Sequence, residues 1–313
     1  MSSPSWRKVP YGTRTAKHVE RKMLAEAMAR LDALWPLEEW RYVGLGSLWF
    51  TDFALFHRRL GMRLLHSIED EQDEGLQERF RGNAPFATRM HFGRTTSELP
   101  KMPWDQPAVV WLDYDDKFRS WMFEDVDHVV SACQDPTLLL FTLNVSPGSD
   151  PGDGRRAEFA ERLGSEDRLP RWARRDSDLG AEIKNRGMAN AVREVMTDQI
   201  EAALVDRGDP ALRYEQVFHF RYSDGAPMAT FGGLLSSAGG GDCHFDNLPF
   251  YKPAGTPFVI QPPVVTLREG LALEALLPDT PVDPARLPRL TKPEVKAFRE
   301  LYRYMPSFVD AEI

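Results

Sequence analysis

Apolar runs and amphipathic segments alternate along the first half of the chain. The runs WRYVGLG, MRLLHSIED, ATRMHFG, PAVVWLDYD and PTLLLFTLNV are apolar enough to be buried strands. The segments between them, such as LWFTDFALFHRRLG, repeat apolar residues with the spacing of a helix. Strands that alternate with helices indicate a parallel sheet that is covered on both faces.

A hairpin is predicted at the end of this alternation. The β-rich runs YEQVFHFRY and APMATFGGLLSS flank Ser223, Asp224 and Gly225, which together form a turn signal. The pattern therefore predicts a sheet of seven strands, mostly parallel, whose last strand is antiparallel.

The pattern also divides the chain into three parts. Residues 1–39 form a helical N-terminal arm, residues 40–250 hold the sheet and its helices, and residues 251–313 form an extension that ends in a helix. The segment 146–180 is rich in Gly, Pro, Asp and Arg and indicates an insertion in the middle part. The insertion is either a functional lid or simply disordered. In the first case we expect it to shape a substrate site together with both terminal parts.

Composition excludes several classes of protein. The 313 residues are 42% hydrophobic and 27% charged, which is typical of a globular protein. No apolar stretch reaches the roughly 18 residues of a membrane span, and the N-terminus lacks an apolar signal core. We therefore expect a cytoplasmic protein with no membrane contact. Cys133 and Cys243 are the only cysteines, and we expect them to be free thiols.

Charge is unevenly distributed along the chain. The net charge is -8, yet residues 1–30 carry seven Lys or Arg and two Glu, which leaves -13 for the remainder. An acidic body disfavours broad nucleic-acid binding, although the basic arm could contact phosphates, a second copy of the chain or another protein. Arg14, Lys17 and Arg21 share one helix face, which is either a solvated surface or a cover over an anionic substrate.

Polar and small residues follow each predicted strand. They are Gly44, Gly46 and Ser47 after the first strand, Glu69 and Asp70 after the second, Gly93, Arg94, Thr95 and Thr96 after the third, Asp113, Tyr114, Asp115 and Asp116 after the fourth, and Asn144 after the fifth. Ligands of open α/β sheets bind at this edge. The glycines allow a ligand to approach the backbone closely, and Glu69 or Asp70 can accept hydrogen bonds from ribose hydroxyls.

Five stretches in this region resemble one known family. YVGLGS, LLHSIED, FGRTTSELP, VVWLDYDDKF and LLLFTLNVSPG are similar to segments of the class I S-adenosylmethionine-dependent methyltransferases, above all the catechol-type O-methyltransferases. The resemblance covers roughly residues 40–150. It implies a Rossmann-like three-layer α/β/α sandwich, with a mostly parallel seven-stranded sheet and a C-terminal antiparallel hairpin.

The resemblance also assigns residues to the cofactor S-adenosylmethionine. It implies that the first glycine turn receives the amino-acid end of the cofactor and that Glu69 binds the ribose. The third strand end, with Gly93, would lie beside the adenine. The implied cofactor-binding residues are Gly44, Gly46, Ser47, Glu69, Gly93, Thr95, Thr96 and Tyr114.

A divalent metal such as Mg²⁺ is the second implied cofactor. Asp113 and Asn144 fall on two of the three ligand positions of the family, while Leu143 occupies the third. Either Asp115 or Asp116 replaces the missing ligand, or the pocket is free of metal and Asp113 serves as a base or polar anchor.

The catalytic position departs from the family as well. Asp116 stands where the family has a lysine, and Lys117 follows it. The methyl donor is already activated, so the protein has to align the acceptor and take its proton. We expect Asp113 or Asp116 to act as the base, with Lys117 as the alternative.

The favoured function is thus S-adenosylmethionine-dependent methyl transfer to the oxygen of an acceptor that the sequence does not identify. The departures leave a catalytically inactive nucleotide-binding or partner protein as the alternative. A nicotinamide-dependent oxidoreductase fits less well, because Trp49 stands where the dinucleotide fingerprint has its third glycine.

Overall fold

The computed structural model describes residues 14–147, 153–170, 172, 187–223, 225–278 and 290–306. Much of the predicted insertion at 146–180 lies outside these residues. The helices are α1 (Thr15–Leu31), α2 (Thr51–Leu60), α3 (Glu74–Asn83), α4 (Thr95–Glu98), α5 (Met122–Ala132), α6 (Asp153–Leu163), α7 (Met188–Arg207), α8 (Leu267–Glu274) and α9 (Lys292–Leu301).

The strands form one mixed sheet. They are β1 (Arg41–Gly44), β2 (Leu64–Glu69), β3 (Arg89–Phe92), β4 (Ala108–Lys117), β5 (Thr137–Asn144), β6 (Arg213–Ser223), β7 (Pro227–Ser236) and β8 (Phe258–Val259). Their order is β3-β2-β1-β4-β5-β7-β6-β8. The first five strands are parallel, and β7 runs antiparallel to both β5 and β6. The chain reverses direction across the sheet between β1 and β4, which is the switch point where ligands of such sheets bind.

The predicted α/β sandwich with its antiparallel hairpin is confirmed, with two differences. The described sheet has eight strands, because the short strand β8 pairs in parallel with β6 at the edge. β4 also continues beyond the apolar run to Lys117, which pairs with Asn144 of β5 after an irregularity that begins at Asp113. Asp113 therefore lies within the strand, as the run PAVVWLDYD predicted, and not beyond its end, where the list of strand-end residues put it.

The two faces of the sheet carry separate apolar cores. Successive side chains of a strand point to opposite faces. In β4, Val110 and Leu112 join the core that contains α5 and α7. Val109 and Trp111 join the core that contains α1 and α2. The same alternation directs Asp113 towards α1 and its neighbour Tyr114 towards α5.

Helix α1 is part of the core rather than a solvated arm. Val19, Met23 and Leu24 are fully buried, as expected from its apolar stripe. Lys17 and Arg21 are only 3% exposed, so the solvated interpretation of the basic face is wrong for both residues. These charges are enclosed because α1 packs against both α2 and β6.

Two further expectations concern the cysteines and membranes. Cys133 and Cys243 are both buried free thiols. Within the described part of the chain, no helix is both long and apolar enough to cross a bilayer.

Candidate active site

A cleft of about 670 Å³ opens at the carboxyl ends of β1, β2 and β4. The predicted site residues that line it are Gly46, Glu69, Gly93, Thr95, Thr96, Asp113, Tyr114 and Asp116. Strand ends that are far apart in sequence meet here because neighbouring parallel strands end at the same edge of the sheet. Gly44 and Ser47 are not among the residues that line this cleft.

The glycine turn and the second strand are connected by a short chain of hydrogen bonds. The Gly46 amide donates to Ser67 Oγ at 3.2 Å, and Ser67 Oγ donates to Glu69 Oε1 at 3.2 Å. A Cβ atom on Gly46 would lie 2.8 Å from Glu69 Oε1. Glycine at this position therefore leaves room for the Glu69 carboxylate, which can accept two hydroxyl hydrogen bonds from a ligand in the cleft.

Gly44 and Ser47 shape the turn from outside the cleft. A Cβ atom on Gly44 would lie 2.7 Å from the hydroxyl oxygen of Tyr42. Ser47 Oγ accepts a hydrogen bond from the Trp49 amide at 3.2 Å. Gly44 thus leaves room for the Tyr42 ring, and Ser47 holds the turn that follows β1.

On the α5 side, the cleft wall depends on one buried carboxyl. Thr95 Oγ1 and the Tyr114 hydroxyl each donate to Asp125 Oδ2 at 2.6 Å. Burial raises the pKa of Asp125 to about 6, although the two hydroxyl donors oppose this shift. Asp125 Oδ1 has no hydrogen-bond partner among the described residues. The two hydroxyls thus hold Thr95 and Tyr114 against α5.

Gly93 and Trp121 complete this side of the cleft. Gly93 has φ +155°, and a Cβ atom there would lie 2.6 Å from Glu98 Oε1, so only glycine fits. The ring of Trp121 packs edge-on against the ring of Tyr114 at a centroid distance of 5.5 Å and lines the cleft. An aromatic surface is thus available to a flat ligand.

On the α1 side, Asp113 is bound by a buried lysine. Lys17 Nζ lies 2.8 Å from Asp113 Oδ2, 2.8 Å from Glu20 Oε2 and 3.1 Å from the Tyr222 hydroxyl. Burial lowers the pKa of Lys17, but the carboxylates of Asp113 and Glu20 more than offset this and raise it well above its usual value. Lys17 is therefore an ammonium ion whose three N–H groups all have acceptors.

Glu20 is the innermost member of this group. Its carboxylate is fully buried, and it accepts hydrogen bonds from the Tyr222 hydroxyl at 3.2 Å and from Thr230 Oγ1. Burial raises the pKa of Glu20, and Lys17 opposes that shift. We call Lys17, Glu20, Asp113 and Tyr222 the Lys17 cluster.

The two other predicted catalytic residues lie at the rim. The side chain of Asp116 is 69% exposed and accepts a hydrogen bond from the Lys117 amide at 2.9 Å. Lys117 Nζ lies 3.6 Å from Glu158 of α6 and does not line the cleft. Burial lowers the pKa of Lys117, which is the direction that a base requires, but its ammonium faces Glu158.

The predicted metal ligands do not fit a divalent ion. The Lys17 ammonium already binds Asp113 Oδ2, and Asn144 Oδ1 accepts a hydrogen bond from the Ser146 amide at 2.9 Å. The described residues contain no group of three His, Cys, Asp or Glu side chains arranged to hold a metal. The side chain of Asp115, one of the two predicted substitutes, lies outside the described part. The cation that contacts Asp113 is the Lys17 ammonium.

The three basic residues that the sequence placed on one helix face do not form one surface. Arg14 precedes α1 and is partly exposed, whereas Lys17 and Arg21 are buried. None of the three lines the cleft. Of the described partners of Lys17, Asp113 is the one that lines the cleft.

Sequence reasoning missed Glu20, Tyr222, Asp125 and Trp121. A local signal existed for Asp125, which lies one helical turn from the buried apolar residues Met122 and Val129 and so on the buried face of α5. Glu20 lies one turn from Lys17 in α1, but nothing local pairs either residue with Asp113.

Comparison with known families gives one match that spans nearly the whole chain. The model of the family described as "Putative O-methyltransferase" matches residues 9–313. A comparison with curated proteins found no match. The similarity to catechol-type members stays a prediction.

Solved structures show weaker likeness. LepI in complex with SAM is 12% identical over 67% of this chain and 46% of its own, with a TM-score of 0.37, so the chain spans about half the length of LepI. The O-methyltransferase TomG from Streptomyces achromogenes, in complex with SAM, is 14% identical over 69% of this chain and 80% of its own, with a TM-score of 0.38.

Proposed function

Because the chain belongs to this O-methyltransferase family, we propose that it is an S-adenosylmethionine-dependent methyltransferase that acts on the oxygen of a small acceptor. One observation carries the proposal: the Glu69 carboxylate lies in the cleft beside the glycine turn, at the switch point of the sheet. The cleft of about 670 Å³ falls within the size range of small-molecule sites.

The residues of the cleft suit the parts of this cofactor. Glu69 would accept hydrogen bonds from the ribose hydroxyls, and Gly46 would allow close approach of the backbone. Thr95 and Thr96 line the wall where the adenine of the cofactor would lie. The bound cofactor supplies an electrophilic methyl group on a positively charged sulfonium, and the carboxylates of Glu69, Asp113 and Asp116 favour such a cation.

Asp113 is the base that we propose for the acceptor. Its side chain is 20% exposed, lines the cleft, and uses Oδ2 for Lys17. Oδ1 can therefore accept a hydrogen bond from an acceptor hydroxyl and then its proton. Asp116 lies nearby at the rim and is the alternative base.

The test is calorimetric titration with S-adenosylmethionine and S-adenosylhomocysteine. We expect the wild type to bind both ligands, and Glu69→Ala to bind at least 30-fold more weakly, because two hydrogen bonds to a charged group are lost. The exposed Glu74 of α3 lies outside the cleft, so Glu74→Ala serves as a matched control and should bind within about threefold of the wild type.

Absence of binding by the wild type at high micromolar ligand contradicts the proposal. Transfer of the labelled methyl group to any member of a panel of phenols and catechols then separates an enzyme from an inactive nucleotide-binding protein. Preferential binding of NAD would favour the oxidoreductase alternative.

A further inference from the structure

The Lys17 cluster connects the interior of the protein with the cleft. Glu20, at its inner end, is fully buried, whereas Asp113, at its outer end, lines the cleft. The Lys17 ammonium lies between the two carboxylates at 2.8 Å from each. A helix from the start of the chain thus determines the surroundings of a carboxylate on β4.

A buried ammonium is costly unless its charge is compensated. Here two carboxylates and a phenol oxygen accept from it, and its nitrogen lies 4.7 Å from the centroid of the Trp111 ring, at the distance of a cation–π contact. All three N–H groups are used, so Lys17 has no donor left for a substrate. Its effect on the cleft can only pass through Asp113.

We propose that Lys17 is the internal cation of this site, a positioning residue that orients Asp113 towards the cleft, at a carboxylate that falls on one of the family's metal-ligand positions. The catalytic value of this arrangement rests on the proposed function, in which Asp113 is the base. The contact between Lys17 and Asp113 does not depend on that function. In this arrangement the ammonium occupies the side of Asp113 where a divalent metal would otherwise bind.

The arrangement has a measurable consequence. Removal of the ammonium leaves two carboxylates and a phenol oxygen around the vacated space. Hard cations bind to oxygen ligands of this kind. Lys17→Ala should therefore create a divalent cation site that the wild type lacks.

The experiment is titration with Mn²⁺, in which electron paramagnetic resonance reports the free ion. Wild type and Lys22→Ala should show the same weak uptake; Lys22 is also on α1, but its ammonium donates to the Met305 carbonyl away from Asp113. Lys17→Ala should bind one Mn²⁺ at least tenfold more tightly than the wild type. Lys17→Ala/Asp113→Asn should lose that gain.

Two results overturn the proposal. One is uptake of one Mn²⁺ by the wild type that Asp113→Asn abolishes, because Asp113 would then be a metal ligand. The other is a Lys17→Ala variant that circular dichroism shows to be folded but that binds Mn²⁺ no more tightly than the wild type. If Lys17→Ala does not fold, the comparison of wild type with Asp113→Asn decides. Neither readout requires an acceptor or the cofactor, so failure here is distinct from failure of the proposed function.

Discussion

Asp113 and Tyr114 are adjacent in β4, yet they enter two different polar environments. On the α1 side, Asp113 forms an ion pair with Lys17, and Glu20 lies behind it. On the α5 side, Tyr114 donates to Asp125, whose described partners are hydroxyl groups and no cation. Both environments are buried and both border the cleft. One wall of the cleft thus contains a carboxylate that is compensated by a cation. The other wall is held by a buried carboxyl that is compensated by neutral hydroxyl donors.

The two environments should contribute to the stability of the folded protein in different ways. A buried ion pair is destabilised strongly when one partner is removed, because the other charge stays behind. A buried acid with only neutral donors becomes protonated more easily, as the raised pKa of Asp125 indicates. Substitutions on the α1 side should therefore lower the free energy of unfolding strongly at neutral pH. The effect of substitutions on the α5 side should vary with pH.

The largest effect is expected for Lys17→Met. The substitution leaves Glu20 buried without its cation and should lower the free energy of unfolding by about 3 to 5 kcal/mol at pH 7. Urea unfolding measures the loss. Lys17→Met/Glu20→Gln removes both charges and should recover most of it. Equal stability of the wild type and Lys17→Met would show that the ammonium does not compensate buried charge.

The second effect concerns Asp125 and pH. Its pKa is about 6 in the folded protein and near 3.8 when unfolded, so the folded state binds the proton more tightly. The resulting stability is fully present below pH 3.8 and is lost as the pH rises through about 6. From these two pKa values the loss amounts to at most about 3 kcal/mol at pH 7.

Asp125→Asn should remove this pH dependence. Urea unfolding at pH 5 and pH 7.5 compares the variant with the wild type. The exposed Asp206 of α7 provides the control, and Asp206→Asn should leave the pH profile of the wild type unchanged. A wild-type profile that already matches Asp125→Asn would mean that Asp125 ionises normally, and the contrast between the two walls would then disappear.

The smallest effect is expected for Tyr114→Phe. It removes one of the two hydroxyl donors to Asp125 and should cost about 1 kcal/mol. The pKa of Asp125 should rise further, because a hydrogen bond to its charged form is lost. Tyr302→Phe, on α9's C-terminal side and away from β4, is the matched control. No change in the titration of Asp125 would indicate that the Tyr114 hydroxyl bonds elsewhere in solution.

The sequence predicted much of the fold because its signals are local. The glycine turn after β1, the Ser223–Gly225 turn and the alternation of strands and helices each occupy a short segment. The end of β4 was wrong because polar residues continue the strand when the neighbouring strand supplies hydrogen bonds, and β5 does so up to Asn144. The two-residue β8 is too short to leave a periodic pattern.

The site was only partly predictable for the same reason. Glu69 ends β2, Thr95 follows β3 and Asp113 lies in the last part of β4, and the topology of parallel sheets brings such positions together. The contact of Lys17 with Asp113 joins α1 to β4 across a long stretch of sequence, and no local pattern encodes it. At Asp113, which the resemblance offered either as a metal ligand or as a base or anchor in a metal-free pocket, the contact partner is the Lys17 ammonium.

The most direct test of the central claim is a crystal structure with S-adenosylhomocysteine bound. We expect the ligand in the cleft beside Gly46, with both ribose hydroxyls at hydrogen-bond distance, about 3 Å, from the Glu69 carboxylate. We also expect that Lys17 still binds Asp113. A ligand bound elsewhere, or bound in the cleft without contact to Glu69, would contradict the account.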